Sequence, residues 1–494
     1  MHSDEFNEAI KHWSEQPRND KASFYDLFLW PEVRQRFRLL PAPQQSYEVL
    51  VIPVSNPHTA ILHLDRYRPQ IAVFLFSERS YKDHASRLRQ ATEELGIVYD
   101  DQDGIIDATD TISVYRAVKQ VYERYAGRRI AVDITGGTKA MSVGVAMAGS
   151  IIGADSIYIE SKFDKDIQDR LPGSEKPDLL PDPYTTLGDI QRQRAAGFYA
   201  NHDYSTAQEL FDELARRVHP PQGDAAWAQL CAAYLAWDSF NLGHARQVLT
   251  RVLAMTDQSV SLVEVAPRLH DQIQALQRVQ TLIEDRRPER DERDTWNGAH
   301  SYNAALNAFV PRQIKHLTTR DIVPALLAML YTNALRREHQ QRLDTAAMLL
   351  YRCLELMSQQ RLARKGVLTE FPRDGIAALR QTCADLDERY ARALRVVRPG
   401  RTDFPKGKLT LFEGYILLCA LEDPFALQCD IGRIQDQIDI RNQSILAHGF
   451  SFITRREYQA FKRTVTEVID HWCTIERLDW AQYVTVCKFV SIDG

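Results

Sequence analysis

Apolar positions along the chain change their spacing twice, and each change marks a different kind of structure. Between residues 47 and 160, short unbroken apolar runs alternate with longer amphipathic stretches. The runs at 48–54, 71–76, 97–99, 130–134 and 157–160 predict buried strands. The stretches at 82–95, 111–125 and 140–152 predict helices. Strands alternating with helices imply an α/β fold, a doubly wound parallel sheet with right-handed crossovers. Ligands of such sheets bind beyond the carboxyl ends of the strands, so the turns at 55–59, 77–80 and 135–139 can line one pocket.

On either side of this segment the pattern is helical. Residues 1–45 read as helical and then irregular; the apolar face at 24–30 is ended by Pro31, and Pro41-Ala42-Pro43 marks a boundary. Residues 162–184 are polar and proline-rich and read as a loop with a short hairpin. Beyond residue 186 two segments, 195–215 and 230–249, each place an aromatic, a short polar turn, then Ala and Leu at helical spacing. They resemble imperfect helical hairpins of a spacer region. The mixed charge run at 286–294 reads as a solvated surface. A helical hairpin at 326–335 and 345–362 opens the last region, with further helices at 409–421, 436–446 and 455–470. The alternating tail at 483–491 predicts a short strand. A chain of 494 residues is too long for one core. The expected division is 1–45, 46–185, 186–321 and 322–494.

Composition narrows the class. The chain is 44% hydrophobic and 26% charged, with a net charge of -5, so a non-specific nucleic-acid coat is excluded as a whole-chain property. Nucleotide or RNA contacts must come from local basic sites. The seven cysteines form no C-x-x-C pair and read as reduced core residues. No apolar run reaches the length of a membrane span, and the N-terminus lacks a signal-peptide pattern. The expectation is a cytoplasmic protein without a membrane partner.

Two stretches carry candidate chemistry. The first is D-I-T-G-G-T-K, a strand end, a glycine turn and a helix start. Unpaired amides at a helix N-terminus favour anions, and glycines let a phosphate approach the backbone. Thr135, Gly136, Gly137, Thr138 and Lys139 are the candidate contacts, with Ser142 nearby and Ser55 and Asn56 after the first strand. A P-loop needs glycine before the lysine and a hydroxyl after it; here Thr138 and Ala140 flank Lys139, so the NTPase reading fails on spacing. A G-x-G-x-x-G fingerprint is also absent. The plain structural alternative is that the glycines only permit tight helix–sheet packing.

The second stretch is R-N-Q-S-I-L-A-H-G, residues 441–449. Seven residues on one helix are nearly two turns, which predicts Arg441 and His448 on one face, about 10 Å apart along the axis. Two such helices side by side would converge a proton-transfer group and a phosphate-binding cation. RNA cleavage without a metal needs this equipment: a proton acceptor for the 2′-hydroxyl, a proton donor for the 5′-oxygen, and a cation at the phosphate. Asn442 can orient either group. An Arg and a His on one face are also commonly structural, and Gly449 after His448 fits a helix C-cap. The other histidines show no metal-ligand spacing, and no G-x-S-x-G elbow is present. Glu355 reads as a structural partner of Arg352 or of the Arg441 helix.

T-G-G-T-K-x-M after the fourth strand of a Rossmann-like domain resembles the CARF domain, the cyclic-oligoadenylate sensor of type III CRISPR systems. R-N-x-S-x-x-A-H-G in a C-terminal helical region resembles the signature of HEPN ribonucleases. Their order resembles the Csm/Csx accessory ribonucleases, and A-W-D-S-F and L-L-Y-R-C-L-E-L-M-S-Q-Q resemble the longer branch with a helical spacer. The resemblance spans residues 47–494. It implies an α/β CARF domain followed by an all-α spacer and an all-α HEPN domain. It implies a homodimer whose paired CARF domains bind cyclic tetra-adenylate or cyclic hexa-adenylate as activator, with no cofactor and no metal. It implies single-stranded RNA as substrate and 2′,3′-cyclic phosphate products. It carries Ser55, Asn56 and Thr135 to Lys139 over as ring contacts, and Arg441, Asn442 and His448 as catalytic residues. Slow cleavage of the ring, supported by Thr135, Thr138 or Ser142, is left open. The alternatives are a non-catalytic sensor that regulates a partner and a nucleotide-dependent transcription regulator. The regulator reading lacks a basic recognition helix after the CARF segment.

Overall fold

The computed structural model describes residues 3–102, 104–218, 223–255, 263–288 and 296–492. Most of the 286–294 charge run lies outside the described residues. The chain forms two compact units, Met1–Ile190 and Gln191–Gly494.

The first unit is built on a six-stranded sheet. Its strands are β1 (Val49–Val54), β2 (Ile71–Phe76), β3 (Val98–Asp100), β4 (Ile130–Asp133), β5 (Asp155–Glu160) and β8 (Lys176–Leu180). They lie in the order β3-β2-β1-β4-β5-β8. A two-stranded hairpin, β6 (Phe163–Asp164) and β7 (Asp169–Arg170), lies between β5 and β8 in sequence. β1 and β2 are buried along their full length, as expected of strands covered on both faces. Side chains alternate between two cores. Leu50, Ile52, Phe74 and Phe76 pack with α4 (Pro57–Tyr67) and α5 (Glu78–Leu95); Val49, Val51, Val73 and Val132 pack with α6 (Thr111–Arg124) and α7 (Lys139–Ile152).

The sheet is mixed, which corrects the parallel expectation. β8 runs antiparallel to β5, inside the stretch read as loop. Lys176-Pro177-Asp178 gave no apolar run because an edge strand needs cover on one side only. Pro31 does not end a helix. The run at 24–30 passes through a π-helical turn, Tyr25–Leu29, and continues without a break into the helix Trp30–Arg38, so Pro31 lies directly after the π-turn, inside a continuous helical run. The N-terminal helices cover the first core with Phe6, Ile10, Trp13, Trp30, Val33 and Phe37. Arg34 and Arg38 both bind the buried Asp65 of α4.

The second unit is all-α, with one apolar cluster running from Ala195 to Val490. Its first part is two helical hairpins, Asp189–Ala200 with Tyr204–Arg217 and Asp224–Asp238 with Leu242–Met255. Their turns need left-handed backbone at His202 (φ 61) and Phe240 (φ 57). Ile322–His339 and Leu343–Ala363 form the long hairpin expected in the last part. The Tyr483–Ser491 tail is not a strand: Trp480–Cys487 is helical, Lys488 is extended, and the described residues after it form no strand. The alternation there reflects one-sided burial. Phe489 stacks on Tyr234 at 3.9 Å, and the Val490 backbone bonds to the Tyr199 and Tyr234 hydroxyls.

A buried ion network fixes the C-terminal helices. Arg361 donates twice to Asp423, at 3.0 and 2.8 Å, and once to Glu476 at 2.6 Å. Asp423 is fully buried and also accepts from the Phe425 amide. Removing Asp423 leaves two buried Arg361 donors without their acceptor and Glu476 as the one carboxylate still facing that guanidinium. Asp423→Ala should cost about 3–5 kcal/mol in urea unfolding, whereas the double change Arg361→Met, Asp423→Leu should recover most of that loss.

Candidate functional sites

The chain leaves β1 toward β2 and returns through β4 on the opposite side, so the strand order reverses between β1 and β4. Clefts outside the carboxyl ends of such strands take ligands. The two turns flagged by sequence lie here and touch: the Gly137 amide donates to Ser55 Oγ at 3.0 Å. Gly136 is fixed by a close approach, since a Cβ there would overlap the Pro53 carbonyl oxygen. Gly137 needs φ +81, which side chains disfavour.

The hydroxyls in this turn are already engaged. Thr138 caps α7, accepting from the Met141 amide at 3.2 Å, and donates to the Ala108 carbonyl. Thr135 Oγ1 accepts from the Ile159 amide at 2.8 Å, and Ser142 Oγ donates to the Gly136 carbonyl at 3.0 Å. Lys139, Ser55 and Asn56 are exposed. What the turn offers an anion is therefore the Lys139 ammonium and the first amides of α7.

Beneath the turn lies a pair that the sequence reading missed. His63 and Asp133 are fully buried, with Nε2 to Oδ1 at 2.9 Å. The same Oδ1 accepts from the Thr135 amide at 2.7 Å, and His63 Nε2 lies 3.3 Å from Thr135 Oγ1. The pair holds the start of the turn. The one signal was a charged residue within the apolar run 130–134.

Beside Asn56 is a cavity of about 370 Å³, walled by Trp13, Tyr25 and Trp30 of the N-terminal helices and by His58. Asn56 caps α4 through the His58 amide and also contacts His58 Nδ1 at 2.8 Å. His58 Nε2 meets Asp26, which Arg87 clamps at 3.0 and 3.2 Å. Burial among the rings lowers the His58 pKa; Asp26 opposes that shift, while Arg87 and His84 add to it. Burial raises the Asp26 carboxyl, but hydrogen bonds from Arg87 and His58 outweigh it and leave the pKa below its ordinary value.

The second site differs from its expected form. The helix Ile431–Gln443 ends before His448 is reached, so Arg441 and His448 do not share a helix. Ser444 is extended (ψ 153), and residues 445–448 turn the chain back. The Ile445 amide donates to the Ser451 carbonyl at 2.9 Å, the Ser451 amide donates to the Gln443 carbonyl, and the His448 amide donates to the Asn442 carbonyl at 3.2 Å. Gly449 is not a left-handed C-cap. It is required because a Cβ would overlap the Gln443 carbonyl oxygen. The folded-back loop brings the His448 backbone onto Asn442. Arg441 lies over the Tyr351 ring at 4.6 Å and donates to Asn442 Oδ1 at 3.0 Å. His448 is exposed; Arg441 and Asn442 are half-buried. Ile445, Leu446, Phe450 and Phe452 flank the histidine in sequence as exposed apolar residues. Glu355 pairs with Arg352 at 2.6 Å, as expected. Among the described residues no group of three His, Cys, Asp or Glu side chains is placed to hold a metal ion.

These geometries have two measurable consequences. In Gly449→Ala the loop must shift, and hydrogen exchange at the Ile445 and Ser451 amides should accelerate, with a stability loss of about 1–3 kcal/mol. For His58 the unfolded chain binds more protons than the folded one, because the folded pKa is depressed. Stability of the first unit should therefore fall as pH drops below about 6.5. Chemical denaturation at pH 7 and pH 5 should show a smaller loss in His58→Gln than in the parent chain.

A family profile described as the Csm6 HEPN domain matches residues 316–471, and one described as the Csm6 6H domain matches residues 187–283. A curated relative, the CRISPR system endoribonuclease Csm6 of Thermus thermophilus, is 25% identical over 459 residues, 89% of each chain. Among solved structures, Enterococcus italicus Csm6 bound to cyclic hexa-2'-fluoro-hexa-dAMP has a TM-score of 0.44 at 12% identity, covering 90% of this chain and 100% of that one. Can2 from Sulfobacillus thermosulfidooxidans in complex with cyclic tetra-adenylate has a TM-score of 0.21 at 16% identity, covering 42% and 67%. The chain belongs to the Csm6 family.

Proposed function

We propose that the protein is a CRISPR-associated endoribonuclease in which Arg441, Asn442 and His448 cleave RNA and the β1/β4 turns bind a cyclic oligoadenylate activator. The observation that carries the reading is the folded-back loop after Gln443. It holds an exposed imidazole and a half-buried, ring-stacked guanidinium within one closed segment, inside the region matched by the HEPN profile.

The chemistry needs no water in its first step. The 2′-hydroxyl oxygen attacks the adjacent phosphorus and the P–O5′ bond breaks. The 2′ proton leaves to a base and the 5′-oxygen gains a proton. The products are a 2′,3′-cyclic phosphate and a 5′-hydroxyl. His448 is the proton-transfer group, since an imidazole ring can both accept and donate a proton. Arg441 stabilises the phosphorane charge through its planar donors. Stacking on Tyr351 and the Asn442 bond restrict its orientation. One imidazole cannot serve at both oxygens at once, so a homodimer that pairs two loops completes the set. The exposed apolar residues around His448 suit burial in such a pair.

The activator reading rests on the anion-favouring end of α7 and the exposed Lys139, Ser55 and Asn56. Because the Thr135, Thr138 and Ser142 hydroxyls are engaged, we assign them structural roles and no ring-cleaving one. A two-fold ring matches a two-fold dimer. To move the nuclease from 1:99 to 99:1, the ring must bind the active state more tightly by about 5.5 kcal/mol.

A fluorescent RNA assay in EDTA, with cyclic tetra-adenylate, cyclic hexa-adenylate or AMP, tests the reading. One ring should switch cleavage on and AMP should not. His448→Ala should lower the rate by about 10²–10⁴-fold. Cleavage that needs a divalent metal, or that proceeds equally without a ring, would contradict it.

A further inference from the structure

Net charge across the chain is -5, yet residues 389–408 carry seven Lys and Arg against one Asp, a local charge of +6. The helix Leu386–Val397 buries Leu386, Tyr390, Ala391 and Leu394 and leaves Arg392 and Arg395 on its exposed side. The loop that follows exposes Arg401, Lys406 and Lys408. Of the nearby acids, Asp385 and Glu422 pair with Arg389 and Asp387 pairs with Arg380, which leaves Glu388 and Asp403 against the cations of this face. Arg392, Arg395, Arg401, Lys406 and Lys408 have no ion-pair partner among the described residues. Like charges held together in excess of counter-charge repel one another.

A second observation lies beside this face. A cavity of about 440 Å³ is lined by Arg373, Ile376, Arg380, Phe404, Pro405 and Lys406. Its apolar floor is Ile376 and the half-buried Phe404, which rests on Tyr390 at 4.7 Å. The Arg380 guanidinium lies over the Phe404 ring at 4.7 Å. Asp403 is the one carboxylate in the wall. An aromatic and a guanidinium plane beside a row of free cations is the equipment that binds single-stranded nucleic acid: phosphates track the cations and a base stacks. A membrane surface is a poorer match, because Val396 is the one large apolar side chain exposed on this helix.

We propose that this face is an accessory binding surface for single-stranded RNA, with Arg392, Arg395, Arg401 and Lys406 on phosphates and a base at Phe404. The inference rests on the ribonuclease reading. Leu386–Val397 packs on Leu411–Ala420, which packs on Ile431–Gln443 with Arg441. One helix, Leu411–Ala420, therefore lies between the basic helix and the helix that carries Arg441. The surface raises affinity for long RNA and does not touch the reacting phosphate.

The test uses the full chain with the four cations changed to Gln, checked for unchanged thermal unfolding. On a long RNA with activator, KM should rise about ten-fold or more with kcat retained; on a tetranucleotide both should stay as in the parent. The slope of log affinity against log salt should flatten by about 3, near 0.7 for each phosphate that is no longer neutralised. Phe404→Ala should weaken long-RNA binding by about ten-fold. Unchanged KM and salt slope would overturn the proposal. If the parent cleaves no RNA, the ribonuclease reading fails. Fluorescence anisotropy of labelled RNA then decides the surface alone: binding that disappears in the four-cation variant supports it, and equal or absent binding overturns it.

Discussion

Both candidate sites depend on one constraint: the backbone passes closer to itself than any side chain allows. At Gly136 the turn after β4 presses on a carbonyl near the end of β1, and the Gly137 amide reaches Ser55. At Gly449 the chain folds back onto Gln443, and backbone hydrogen bonds close the loop. Only glycine permits either approach. The result is the same in each case. Exposed polar side chains are presented from a segment whose own backbone is tied internally, so they keep their geometry without a ligand.

The two units solve different physical problems. The first sets an anion-favouring helix end at a strand-order reversal and braces it from below with His63 and Asp133. The N-terminal helices extend that edge with an aromatic wall around His58. The second must hold an exposed imidazole and a cation over a helical core. Its rigidity comes from buried charge pairs, Arg361 with Asp423 and Glu476, and Arg336 with Asp238. Such pairs fix geometry more than they add stability.

Legibility followed the physics of burial. β1, β2 and β4 were readable because strands covered on both faces are unbroken apolar runs. β8 was not, since an edge strand next to proline carries no such run. The phosphate-favouring turn could be read from glycine and threonine next to a strand. That its hydroxyls are spent on Met141, Ala108 and Ile159 could not, because those partners are distant or depend on the path of the loop. Arg441 and His448 were found by residue type, yet their shared helix was wrong. Seven-residue spacing fits two turns of helix, and nothing local announces that Ser444 is extended. Gly449 held the signal, as a close approach and not as a cap.

The central claim is that a ligand on the first unit and RNA on the second share one conformational equilibrium. Coupling of that kind is reciprocal. The direct measurement is the affinity of cyclic oligoadenylate for the His448→Ala chain, by calorimetry, with and without saturating single-stranded RNA. The account predicts that RNA tightens ring binding by the same factor by which the ring tightens RNA binding. Identical ring affinity in both conditions would contradict it.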